Sequence, residues 1–148
     1  MQTFLPYPDF TKSAQCLDSK RLGKQRVEAW QIYEILRGKK SRWMNHPAVR
    51  MWRGFERALL WYGLTICREW RNRGYNDSMY FRFLKAEDEI TIELELNFQA
   101  LNILECPEWL GDKEFHASHR SNLLRKKPEH YSKFGWIEPD NLPYKWII

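Results

Sequence analysis

Arg21, Lys24 and Glu28 stand at i, i+3 and i+7, within about 60° of arc on a helical wheel. That spacing sets one carboxylate beside two cations, above the apolar Ile32 and Ile35. A carboxylate so placed stays ionised and can stabilise a cation that develops next to it. The same spacing also describes an ordinary Lys24–Glu28 surface pair, worth roughly 0.2–0.5 kcal/mol. A second concentration of chemistry is FHASHRSNLLRKKPEHYSKFGW, residues 115–136. His119, Arg120, Asn122, Arg125, Lys126 and Lys127 suit phosphate oxygens, and Tyr131, Phe134 or Trp136 suit stacking on unpaired bases. A charged helix followed by core aromatics has the same composition.

Other chemistries lack their residues. The sequence has no P-loop, GxGxxG, HExxH or GxSxG motif. Its four histidines, at 46, 116, 119 and 130, give no i, i+4 pair. A metal bound by His116 and His119 would need two further ligands that no spacing supplies. Cys16, Cys67 and Cys106 are odd in number and show no C-x-x-C spacing, which excludes a disulfide scaffold and a zinc ribbon. No metal or cofactor is expected.

These groups need a folded scaffold, and the chain can supply one. It has 148 residues, 43% hydrophobic and 16% aromatic, enough for a single domain over 1–148 and too apolar for a disordered chain. No apolar run approaches the ~18 residues of a membrane span, and the opening MQTFLPYPDF is not a signal peptide. Unpaired cysteines suit a reduced, cytoplasmic setting. The formal net charge is +5, with basic regions at 1–80 and 115–148 flanking an acidic one at 81–114. Brought together, the basic ends would attract a polyanion.

The expected class is mainly α, with three main helices. Pro6 and Pro8 predict an extended arm over 1–12. Asp18 reads as the N-cap of a first helix reaching about Arg37, with Gly38 as its stop, Leu22, Ala29, Ile32 and Leu36 on its apolar face, and Gly23 inside it. A second helix runs from Pro47, capped by Asn45 or His46, to Gly74. Ala48, Trp52, Phe55, Leu59, Tyr62 and Ile66 form its apolar stripe, and Arg50, Arg53 and Arg57 a basic one. Ile90, Ile92, Leu94, Leu96 and Phe98 alternate with polar residues, which predicts a short strand or hairpin within 78–104, although a poorly amphipathic helix is the alternative. A third helix is expected from about Ser118 to Lys127, stopped by Pro128, before a packed aromatic tail.

Several collinear segments resemble the phage-type pyrimidine-dimer DNA glycosylase (endonuclease V) family. They are Gln15–Leu17 and the Arg26–Val27 pair in the first helix, RGKKSRW, ICREWRNRGYN, ECPEWLGDKEFHAS and RKKPEHYSKFG. Residues 78–100 look like an insertion. The resemblance implies a compact all-helical fold with the N-terminal arm threaded between helices, acting as a monomer on double-stranded DNA in the cytoplasm, nucleoid-associated or phage-infected. It also implies metal-free chemistry. The terminal α-amine attacks the sugar C1′, the base leaves, and a Schiff base forms that can β-eliminate the strand. An α-amine suits this because its ordinary pKa, about 8, leaves a neutral fraction at pH 7.

Carried over residue by residue, the nucleophile is the Met1 amine, since the bulky Gln2 predicts that Met1 is retained where the family exposes Thr. An ungapped alignment sets Gly23 at the catalytic Glu; sliding the helix gives Arg26-Val27-Glu28 and makes Glu28 the carboxylate. The DNA-contacting set is then Arg21, Lys24, Arg26, His119, Arg120, Asn122, Arg125, Lys126 and Tyr131. Two alternatives keep this fold: a glycosylase for a hypermodified base, and a non-catalytic DNA-binding module.

Overall fold

Two of the helix starts in this chain are set by aspartate side chains. The computed structural model describes residues 1–97 and 105–147. Asp9 accepts from the Lys12 backbone N–H at 2.8 Å and opens α1 (Phe10–Cys16). The extended arm therefore ends at Asp9 and not at residue 12, because a strong cap starts the helix directly behind the prolines. Asp18 precedes α2 (Ser19–Leu36), and Gly38 follows at φ +107°, the left-handed stop expected of glycine. Leu22, Ala29 and Ile32 are buried along α2 and Leu36 is half-buried.

The single helix expected from Pro47 to Gly74 is two. His46 accepts from the Ala48 backbone N–H at 3.0 Å and caps a short α3 (Pro47–Arg50). The chain then turns through Gly54 at φ +88°, and α4 runs over Glu56–Asn72. An apolar stripe read along the sequence does not reveal this break. Trp52, Leu59, Tyr62 and Ile66 are all fully buried on both sides of it. The turn is sealed by Trp109, whose indole N–H donates to the Met51 carbonyl at 3.0 Å.

α4 is the central element, packed against α1, α2 and α5. Two glycines permit the closeness. A side chain at position 23 would lie 2.8 Å from the Trp70 ring, and one at position 63 only 2.3 Å from the Phe83 ring. That second contact seats α5 (Tyr80–Leu96), which corrects the expected strand or hairpin. Phe83, Ala86, Glu87 and Ile90 are buried at helical spacing. The alternating pattern starts only at Ile90, where the outer face, with Ile92 and Leu96, is exposed. Residues 98–104 of that expectation lie outside the described residues. Among the described residues there is no strand, and no helix is long and apolar enough to cross a membrane.

α6 (Lys113–Lys126) starts earlier than Ser118 because Asp112 caps it, accepting from the Phe115 N–H at 2.8 Å. Pro128 ends it and begins a single turn, α7 (Pro128–Tyr131), which continues into a 3-10 turn, Ser132–Phe134. The aromatic tail packs as expected, with Trp136 stacked on both Tyr131 and Phe134.

The arm is threaded through this frame. Thr3 and Leu5 are completely buried. From α4, Tyr62 donates to the Phe4 carbonyl at 2.9 Å, and Trp52 donates to the Thr3 hydroxyl at 3.0 Å. From α6, His119 Nδ1 accepts the Leu5 N–H at 2.9 Å, and His116 Nδ1 bonds the Leu5 carbonyl at 2.7 Å. Because His116 Nε2 accepts from Gly111 N–H, its proton sits on Nδ1 and is given to Leu5. Residues 2–5 are thus gripped from both sides, which fixes where residue 1 emerges.

Candidate active site

Residue 1 emerges beside α2. A cleft of about 340 Å³ opens there, lined by Met1, Gln2, Phe4, Lys20, Arg21, Lys24, Gln25, Glu28, Lys126 and Tyr144. The expected Arg21, Lys24 and Glu28 face is real, and the arm delivers Met1 to it. Lys126 joins from the end of α6, so the two basic regions of the sequence meet here.

Glu28 is not an ordinary surface partner of Lys24. Their closest approach is 3.7 Å, and the Lys24 side chain is 71% exposed while that of Glu28 is only 12%. Its other oxygen, Oε2, accepts from Gln25 Nε2 at 2.9 Å. Arg21 is held at 3.2 Å by the buried Asp18. Burial pushes the Asp18 carboxyl up, but the Tyr131 hydroxyl and Arg21 outweigh it and hold the group below its ordinary value. Asp18 therefore spends its side chain on Tyr131 and Arg21 and makes no cap bond to α2.

The cleft is crowded with positive charge. Desolvation, then repulsion from Arg21, Arg125 and Lys24, draws the Lys126 ammonium below its ordinary pKa, with Glu28 opposing. Burial pushes the Tyr144 hydroxyl up to about 12 against the pull of Arg125 and Arg21, so Tyr144 is a neutral wall. On the other side of Met1 a smaller cavity of about 170 Å³ is lined by Gln31, Ile35, Lys39, Lys40, Ser41 and Trp43, side chains of α2 and the RGKKSRW segment.

Three residues here escape a reading of the sequence. Gln25 hydrogen-bonds both Glu28 and the arm; its place three residues before Glu28 on one helix face is the only signal. His46 is visible as a cap alone. Burial, then the Met1 ammonium, lowers its pKa while Glu28 raises it, so all three share one electrostatic neighbourhood. Tyr62 reads as core, yet its hydroxyl reaches Gln25 at 2.7 Å.

The remaining expected DNA contacts are elsewhere. Arg26 pairs with the fully buried Asp77 carboxylate at 2.7 Å and lies over Trp70. Arg120 donates to Glu138 at 2.6 Å and to the Pro6 carbonyl at 2.7 Å. Arg125 is exposed and bonds the Asp140 carbonyl and Asn122. Three of these residues are buried. His119 is fully enclosed and grips Leu5, Asn122 donates to the Ser118 and Leu142 carbonyls, and Tyr131 is locked to Asp18. Polar side chains on a helix face can close a fold as readily as bind a polyanion, and here the arm and the C-terminal segment claim them.

The profile of one protein family, described as pyrimidine dimer DNA glycosylase, matches residues 1–82. The match takes in the arm, α1 to α4 and the first residues of α5, and it holds Met1, Arg21, Lys24, Gln25 and Glu28. Neither the curated proteins nor the solved structures provide a significant match.

Proposed function

Because the chain belongs to the pyrimidine dimer DNA glycosylase family, we propose that it excises a damaged or modified pyrimidine from duplex DNA with the Met1 amine as nucleophile and Glu28 as the carboxylate beside it. The observation that carries this reading is the meeting of Met1 and Glu28 in one cation-lined cleft. The neutral amine attacks C1′, and the base leaves with the electron pair of its glycosidic bond. The ionised Glu28 stabilises the positive charge that develops on the sugar. One amine proton goes to the departing base and the other to O4′ as the C1′–O4′ bond opens, which gives an imine, from which β-elimination would break the 3′ C–O bond. This imine chemistry needs no metal or cofactor.

Lys20, Arg21, Lys24 and Lys126 are suited to the phosphates that flank the target sugar, as a phosphate-gripping set must surround the reacting carbon. The free thiols of Cys16, Cys67 and Cys106 fit a reducing cytoplasm, and the protein acts as a monomer.

Glu28→Gln keeps the shape and removes the charge. It should leave binding to dimer-containing duplex within a few-fold while lowering single-turnover excision by about 10²-fold or more. Full excision by Glu28→Gln would remove this carboxylate from the mechanism. Salt-dependent binding with no excision by the wild-type chain would leave a DNA-binding module.

A further inference from the structure

Gln25, 1% exposed, bonds the arm twice, and its amide has no free capacity. Oε1 accepts the Phe4 backbone N–H at 2.9 Å and lies 2.7 Å from the Tyr62 hydroxyl, whose single proton it shares with the Phe4 carbonyl. Nε2 donates to the Gln2 carbonyl at 2.9 Å and to Glu28 Oε2 at 2.9 Å. A primary amide offers two donors and two lone pairs, and all are used. The backbone partners settle which end is which: an N–H needs the oxygen, and a carbonyl needs the nitrogen. Gln25 thus reads the edge of the arm at Gln2 and Phe4 as a neighbouring strand would, and the donor left over has one direction in which to point, at Glu28.

Building on the proposed Met1–Glu28 chemistry, we propose that Gln25 is a positioning residue that locks the register of the N-terminal arm to the orientation of the Glu28 carboxylate. One planar group holds both halves of the site. If the arm slipped by a residue, the carbonyl and N–H would exchange sides and the amide could satisfy neither. A rotation of the amide to follow the arm would turn its remaining proton away from Glu28. Met1 and Glu28 are therefore set relative to each other by a single side chain that need not touch the substrate. Oriented near-attack geometry of this kind is sensitive, and displacements of about 1 Å cost on the order of 10²-fold in rate.

The test measures single-turnover formation of the borohydride-reduced adduct at saturating duplex carrying a thymine dimer, and Kd for the same duplex without reductant. Wild type, Gln25→Leu, Gln25→Glu, Glu28→Gln and the double variant Gln25→Leu/Glu28→Gln are compared. Gln25→Glu keeps length and acceptors and cannot donate to Gln2 and Glu28 together, so it carries the same expectation if Gln25→Leu fails to fold. Each Gln25 variant should slow adduct formation by about 10²-fold with Kd changed less than about threefold. The double variant should be no slower than the slower single one, because both changes remove one coupled unit. Losses that multiply, a defect confined to Kd, or wild-type rates in a folded Gln25 variant would overturn the positioning role while leaving Met1 and Glu28 in place. No adduct from the wild-type chain would overturn the underlying reading and this inference with it.

Discussion

Two polar surfaces flank the N-terminal arm, and they differ in what their polar atoms are doing. On the α6 side, His116, His119, Arg120 and Asn122 have partners within the chain, at Leu5, Pro6, Ser118 and Leu142. On the α2 side, Lys24 is largely exposed with one carboxylate at 3.7 Å, and Lys126, which joins this side from the last residue of α6, feels the repulsion of its neighbours. Residue types are alike on both sides. Engagement separates them: apart from His119 Nε2, which is buried without a partner, the named α6 groups are spent on the fold, and the α2 side holds charge available for a ligand. A buried polar group must be paired to be tolerated, whereas a cluster of like charges costs stability and has a functional use only when an anion arrives.

If that comparison is right, acid should damage the α6 side first. Burial, then the nearby His116, holds His119 down at about 3, from an ordinary 6.5, and burial lowers His116 as well. Both histidines are neutral in the fold because protonation would put a hydrogen against a backbone N–H at His119 Nδ1 and at His116 Nε2. The unfolded chain takes up these protons below about pH 6.5, so stability is full above that pH and falls as pH drops. For His119 alone the slope is roughly 1.4 kcal/mol per pH unit. Asp18, Asp77, Asp112 and Glu138 carry depressed values, and their contributions are lost only at lower pH. Denaturant unfolding at pH 7 and pH 5 should therefore differ by about 2 kcal/mol; equal stabilities would break the comparison.

A smaller loss is expected from Tyr131→Phe, which strips the hydroxyl that donates to Asp18 and accepts its N–H. Leaving these buried groups short of a partner should cost about 1–3 kcal/mol, with the salt dependence of DNA binding unchanged. A shallower salt slope would mean that Tyr131 reaches DNA after all. Lys126→Ala should do the reverse. Its effect on stability should stay within about 0.5 kcal/mol, while the slope of log K against log[salt] becomes shallower by about one unit for each phosphate that Lys126 neutralises. An unchanged slope would move the phosphates out of the cleft.

How much of this is legible in the sequence follows the same division. The end of α2 before Gly38 and the sharing of one face by Arg21, Lys24 and Glu28 follow from a glycine stop and a local period, and both hold, whereas Asp18 stands at the start without making a cap bond. The break at Gly54 and the helical state of α5 depend on tertiary partners, Trp109 over the turn and Gly63 beneath Phe83. No window of neighbouring residues contains those partners. The internal partners of His119 at Leu5 and of Asn122 at Leu142 come from other segments of the chain and are not visible in a local window. Gln25 shows little in the sequence for the same reason: beyond its place three residues before Glu28, a glutamine acquires meaning only when a backbone is threaded past it.

The central claim is that the amine at residue 1 performs the chemistry, and peptide mapping of the borohydride-reduced adduct tests it most directly. Wild-type protein is incubated with duplex bearing a thymine dimer, reduced, digested and analysed by mass spectrometry. The account predicts a sugar remnant on the N-terminal peptide, attached at Met1, and its loss when one residue is added ahead of Met1. An adduct on Lys24 or Lys126, or one that survives the N-terminal extension unchanged, would contradict it.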